Sequence, residues 1–190
     1  MHFLEKWTVK HGCPTLESDR LILRPLNNTD DEAIFRLRSH PEVFKYVGIE
    51  PYQSLERAQK FIKAVKTDIR KGEAYFWGVA LKEDDVVIGT FCIWNFEHGK
   101  TKAEIGYELH PEYHHKGIMR EAMQTALAFV EKKLSIEVLD AITHEDNLPS
   151  IKLLDDFQFA LKGRAIDVDA TIEEGPEMQL YRKLITRKDR

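Results

Sequence analysis

The chain has 190 residues, is 43% apolar and 32% charged, and carries a formal net charge of -4. That length suits one well-buried domain of a soluble globular protein, and the small negative charge argues against nucleic-acid binding as the main function. No apolar run approaches the ~18 residues that a membrane span needs. Residues 1–14 mix Glu5, Lys6, Lys10 and His11 with isolated apolar residues, unlike a secretory signal, and Cys13 and Cys92 are unpatterned. The expectation is a cytoplasmic protein with reduced, buried thiols, no membrane partner and no nucleic acid.

Residues 1–15 read as an N-terminal extension, with a short helix around Phe3, Leu4 and Trp7, followed by a single domain over 16–190. Residues 20–25 suit an outer strand that ends at Pro25. Thr29 offers an N-cap with Glu32 at the capping-box position, and Ala33, Ile34 and Leu37 continue a helix to His40-Pro41. Ser54 can cap a second helix, in which Leu55, Ala58, Phe61, Ile62, Val65 and Ile69 recur at helical spacing until Lys71-Gly72. Strands at 75–81, 86–96 and 102–109 are joined by short polar linkers, which favours antiparallel hairpins. A helix over 118–134, a strand over 137–143, a helix over 150–157 and two strands within 159–169 and 177–185 complete the chain. No repeat or linker divides it.

The helix at 118–134 lies between two strands that can be parallel, and such a crossover places its N-terminus at the C-terminal edge of the sheet, where α/β sheets bind ligands. The basic turn His114-His115-Lys116-Gly117-Ile118-Met119 opens that helix. Free N–H groups at a helix start bind phosphate, Gly117 lets the backbone approach closely, and Lys116 and Arg120 add charge. An ordinary strand-to-helix connection has the same pattern. His110, His114 and His115 cluster nearby, but no Cys or Glu completes a recognised ligand spacing, so no metal is expected.

The segments Leu16-Glu-Ser-Asp-Arg-Leu-Ile-Leu-Arg-Pro-Leu, His40-Pro-Glu-Val, Val87-Ile-Gly-Thr, Ala103-Glu-Ile-Gly-Tyr-Glu-Leu, Pro111-Glu-Tyr-His-His-Lys-Gly and Asn147-Leu-Pro-Ser together resemble the GNAT N-acetyltransferases. The branch they look most like contains the RimJ/RimL-type ribosomal-protein N-terminal acetyltransferases. The resemblance covers about residues 16–184 and implies an α/β (α+β) fold. Its mixed, mostly antiparallel sheet would have about six to seven strands flanked by helices, splayed between the strand ending at Leu109 and the strand ending near Thr143. Acetyl-CoA is expected in that gap, its pantetheine arm paired with backbone groups from Tyr107 through Leu109 to His110, and its pyrophosphate on His115, Lys116, Gly117, Ile118, Met119 and Arg120. The family pattern Gln/Arg-x-x-Gly-x-Gly/Ala is departed from at His114 and at Met119, where a Met side chain can crowd the helix start. Asn147 is expected to contact the CoA arm and Ser150 to meet the sulfur; as a pair they also suit helix capping.

Acetyl transfer to an amine needs a neutral amine, a polarised thioester carbonyl and a protonated leaving thiolate. Glu104 is the candidate base, acting directly or through water. Glu108 competes with it from nearer the site, strand alternation alone explains both as carboxylates on a wet face, and Asp169 is a further candidate. Trp77, Phe91, Trp94 and Phe96 read as core, with Trp94 and Phe96 able to border an acceptor cleft. The expected activity is acetyl-CoA-dependent transfer to a primary amine, on a protein N-terminus or a small molecule, in a direct ternary complex and by a monomer or homodimer. A non-catalytic acetyl-CoA sensor and a nucleotide-binding protein are the alternatives.

Overall fold

A computed structural model describes residues 12–46, 49–165 and 178–186, in which eight strands form one sheet between two helical layers. In chain order the elements are β1 (Leu16–Glu17), β2 (Leu21–Arg24), α1 (Asp31–Ser39), α2 (Pro41–Phe44), α3 (Leu55–Lys71), β3 (Tyr75–Leu81), β4 (Val87–Trp94) and β5 (Lys102–Leu109). They continue with α4 (Ile118–Lys133), β6 (Val138–His144), α5 (Leu148–Asp156), β7 (Ala160–Ala165) and β8 (Met178–Leu184). Strand order is β1-β2-β3-β4-β5-β6-β8-β7, and only the β5–β6 pair is parallel. The mixed, mostly antiparallel sheet is as expected, but with eight strands rather than six or seven. The extra one is β1, two residues long and too short to show a period-2 pattern. The expected helix around Phe3, Leu4 and Trp7 lies outside the described residues.

Two apolar cores sit on opposite faces of the sheet. On one face, Ile118, Met119, Ala122, Met123, Ala126, Phe129 and Val130 of α4 pack on Tyr75, Trp77, Phe91, Ile93 and Ile105. On the other, Ile34 of α1 and Ala58, Ile62, Val65 and Ile69 of α3 pack on Phe76 and Val87. The spacing of those α3 residues is one helical stripe, and Gly72 ends the helix at φ 76°, a left-handed cap that glycine adopts without strain. Ser54 occupies the N-cap position of α3, although its side chain makes no capping hydrogen bond. Trp77 is fully buried and donates its indole N–H to the Pro14 carbonyl at 2.7 Å, which ties the residues before β1 to the sheet.

The start of α1 differs from expectation. Asp30, not Glu32, closes the cap: its Oδ2 accepts the Asn27 N–H at 2.6 Å, and Arg24 of β2 binds both its oxygens at 2.9 and 3.0 Å. The Arg24 pairing draws a carboxylate to position 30, so Thr29 falls inside a short 3-10 turn, Asn28–Asp30.

Candidate active site

The parallel register of β5 and β6 runs only from Lys102↔Val138 to Ile105↔Ala141. Beyond it residues 106–109 and 142–144 continue as strands without pairing to each other, so the sheet opens in a V toward its C-terminal edge. The His110 N–H donates to the Ile88 carbonyl at 2.9 Å. By antiparallel alternation, Glu108 and His110 spend their backbone groups on β4, whereas those of Tyr107 and Leu109 are aimed into the V. The Leu109 carbonyl meets His114 Nε2 at 3.0 Å.

Two contacts bridge the V, one on each face. On the α4 face, Tyr107 Oη and Ser150 Oγ are 2.8 Å apart, and the Tyr107 ring stacks on Phe91 at 6.0 Å. Burial pushes the Tyr107 phenol up to about 12, partly offset by its bond to Ser150, so the phenol is neutral at ordinary pH and either hydroxyl can donate to the other. Asn147 Oδ1 accepts the Ser150 N–H at 3.3 Å, which makes Asn147 the N-cap of α5. On the opposite face the rings of Tyr46 and His144 approach to 5.9 Å, reaching from beyond α2 to the end of β6.

The turn before α4 is built from residues with positive φ, 59° at His115 and 72° at Gly117, the second of which is the helix N-cap. His114, His115, Lys116 and Gly117 are exposed, while Ile118 and Met119 point into the core. Met119 therefore packs beneath the helix start and does not crowd its solvent side. Arg120 is ion-paired to Asp156 and lies over the Phe157 ring, and the Lys116 ammonium lies 5.4 Å from the Tyr113 ring centre.

The carboxylates have different surroundings. Both Glu108 oxygens are held by Arg38, at 2.9 and 2.5 Å, and Arg38 also donates to Tyr52 Oη at 2.7 Å and lies 3.7 Å from the Phe61 ring centre. With both partners about 15% exposed, Glu108 has its two oxygens engaged by Arg38 and turned away from the opening of the sheet. Glu104 sits below the V, beside Trp94 of β4 and Asp140 of β6, with Asn95 Nδ2 donating to its Oε1 at 2.6 Å. Asp140 is buried and bound by Arg182 at 2.6 and 2.7 Å. Asp169 lies outside the described residues. Among the described residues no group of three or more His, Cys, Asp or Glu is placed to hold a metal ion, and no helix is long and apolar enough to cross a membrane.

His110 is 6% exposed, edge-on to His40 at 5.3 Å, and burial, with Arg36 nearby, holds its ring below its ordinary 6.5. As pH falls through that value the unfolded chain takes up a proton that the folded ring resists, so stability falls, and the loss levels off once the folded ring titrates. Urea midpoints at pH 7.5 and 5.5 should therefore differ more for wild type than for His110→Gln. Equal differences would show that His110 contributes nothing to the slope.

This sheet, opened beside an exposed helix-start turn, is that of an acetyltransferase. A family model described as an acetyltransferase (GNAT) domain matches residues 20–159, and the chain belongs to the GNAT acetyltransferases, which makes it an acetyl-CoA-dependent N-acetyltransferase. It is 32% identical over 164 residues to an uncharacterized N-acetyltransferase, p20, of Bacillus licheniformis, covering 81% of this chain and 92% of that one. With the uncharacterized N-acetyltransferase YoaA of Bacillus subtilis it shares 32% identity over 150 residues, covering 79% and 85%. Among solved structures it resembles a Salmonella typhimurium acetyltransferase that modifies the N-terminal serine of ribosomal protein L7/L12, with a TM-score of 0.79 at 18% identity over 91% of this chain and 100% of that one. A RimL ribosomal L7/L12 alpha-N-protein acetyltransferase in complex with coenzyme A shares the fold as well, with a TM-score of 0.79 at 18% identity over 90% of this chain and 98% of that one.

Sequence reasoning brought Tyr107, Leu109, Ser150 and the turn to one place. It did not find the Arg38–Glu108 pair or the Tyr46–His144 contact, because a period along a strand or helix carries no signal of a partner far away in the chain.

Proposed function

We propose that the protein acetylates a primary amine, on a protein N-terminus or a small molecule, by direct attack within a ternary complex. The observation that carries this reading is the opened β5–β6 pair, in which the backbone of Tyr107 and Leu109 faces a gap closed at one end by Tyr107 and Ser150. A pantetheine arm fits a strand edge left unpaired in this way, and the N–H groups at the start of α4, behind the exposed residues His115, Lys116 and Gly117, suit a pyrophosphate. Bound acetyl-CoA supplies the activated thioester.

The chain's own groups then have separable tasks. The backbone of Tyr107 and Leu109, with Asn147, holds the arm, whereas His110, expected to join them, gives its N–H to the Ile88 carbonyl of β4 instead. Glu104 takes the amine proton directly or through water, since Glu108 is committed to Arg38. Ser150 Oγ donates toward the departing sulfur while Tyr107 Oη donates to Ser150 Oγ, which keeps the Ser150 proton pointed at the sulfur. Tyr46 and His144 border the acceptor's entrance on the opposite face. No enzyme-bound acyl group is required, and much of the rate comes from holding the two substrates together. In this reading residues 16–190 form a single domain with 1–15 as an extension, working in the cytoplasm as a monomer or homodimer.

Thiol release from acetyl-CoA against a panel of peptide N-termini and small amines tests the activity. Ser150→Ala and Glu104→Gln are each expected to lower kcat by about tenfold or more, in the lower range for general acid–base groups. Values of kcat/KM within twofold of wild type, under ~0.5 kcal/mol, would remove the assigned roles.

A further inference from the structure

The turn before α4 is held from behind by a residue of a distant hairpin. Between β1 and β2, Ser18 Oγ donates to Glu121 Oε1 at 2.7 Å, the Arg20 N–H donates to the same oxygen at 2.9 Å, and Arg20 Nε donates to Glu121 Oε2 at 2.6 Å. The guanidinium continues past Glu121, and its Nη1 donates to the Lys116 carbonyl at 3.0 Å. Its Nη2 lies 3.6 Å from where a Cβ on Gly117 would stand.

Two physical consequences follow. In a trans peptide the C=O and N–H point in opposite directions, so holding the Lys116 carbonyl toward Arg20 turns the Gly117 N–H away from it. Glu121 also stands in the first turn of α4, where a carboxylate is favoured by the helix dipole but repels any other anion at that end. Arg20 cancels this charge at contact distance.

From this geometry we infer that Arg20 is a positioning residue for the cofactor turn: it fixes the Lys116–Gly117 peptide and neutralises Glu121, so that the helix start accepts the phosphates of acetyl-CoA. The inference rests on the reading that those phosphates sit on this turn. A lysine cannot substitute fully, because an ammonium lacks the planar fork that spans a carboxylate and a carbonyl at once.

The test compares CoA with pantetheine, which has the arm but no phosphates, by calorimetry and NMR titration. Arg20→Met should weaken CoA about tenfold or more and leave pantetheine unchanged, while kcat at saturating acetyl-CoA stays within twofold. Arg20→Lys should recover part of the loss. Adding Glu121→Gln to Arg20→Met should restore at least threefold, because the uncancelled carboxylate is then gone. Arg20→Met binding CoA within twofold of wild type, or losing CoA and pantetheine equally, overturns the inference. If Arg20→Met does not fold, Arg20→Lys carries the same comparison, with more than a threefold loss for CoA alone in support and less than twofold against. Wild type failing to bind CoA at all would instead overturn the reading of the cofactor seat.

Discussion

Arg38→Ala is expected to destabilise the protein by about 3–5 kcal/mol, the range for removing one partner of a buried ion pair. The loss arises because Glu108, only 16% exposed, stays behind on its strand after losing bonds to both oxygens. Packing is lost as well, since the guanidinium lies over Phe61 and within 5.6 Å of the Phe44 and Tyr52 ring centres. At about 2–4 °C per kcal/mol for a chain of this size, the melting temperature should fall on the order of 10 °C. The double change Arg38→Met with Glu108→Met removes both charges, and replacing a buried pair with apolar groups of similar volume is often close to neutral. Thermal melts of the three proteins decide this: a single variant within 1 kcal/mol of wild type would show that the pair is solvated. The double variant should also retain most of its kcat, whereas an inactive but folded double variant would return Glu108 to consideration as the base.

Gly89→Ala is expected to damage both stability and acetyl-CoA binding, for one geometric reason. A Cβ at position 89 would stand 2.5 Å from the Glu108 carbonyl oxygen and 3.3 Å from Leu109 Cα. Gly89 is paired with Leu109 across β4 and β5, at the level where β5 has already left β6. Only glycine lets the strands approach so closely there, and the added methyl would push β5 into the V. Overpacking of this kind costs about 1–3 kcal/mol, and the KM for acetyl-CoA should rise about tenfold or more as the Tyr107 and Leu109 backbone groups move. Gly99→Ala is the control. Gly99 has φ 83° with nothing within 4 Å of a new Cβ, so that variant should lose stability through backbone strain while keeping its KM for acetyl-CoA. An unchanged KM in Gly89→Ala would separate this edge of β5 from the cofactor seat.

Much of the fold was legible in the chain because it depends on local pattern. The α3 stripe and its glycine stop, the β3 and β5 boundaries, and the start of α4 at Gly117 all follow from side-chain period and from backbone freedom within a few residues. The two-residue β1 did not, since its pairing with β2 is its only mark as a strand. The cap of α1 shifted to Asn27 and Asp30 because Arg24, on a different element, supplies the charge that holds Asp30.

The candidate site divides along the same line. Motifs in the chain placed Tyr107, Leu109, Gly117, Asn147 and Ser150 on the right elements and pointed to the family, since each motif is a short segment whose backbone geometry depends on its own residues. Tertiary packing chose the partners. Glu104 and Glu108 look equivalent on one strand, yet Glu108 is paired with Arg38, 70 residues away, while Glu104 remains below the opening of the sheet. Ser150 meets Tyr107 across 43 residues, and Arg20 reaches Glu121 across 101. Met119, which departs from the family pattern, faces inward because the helical phase of α4 puts it over the core. Local sequence encodes period and turn chemistry, but which charge neutralises which, and which side chain spans the gap, depends on where the sheet order brings distant segments together.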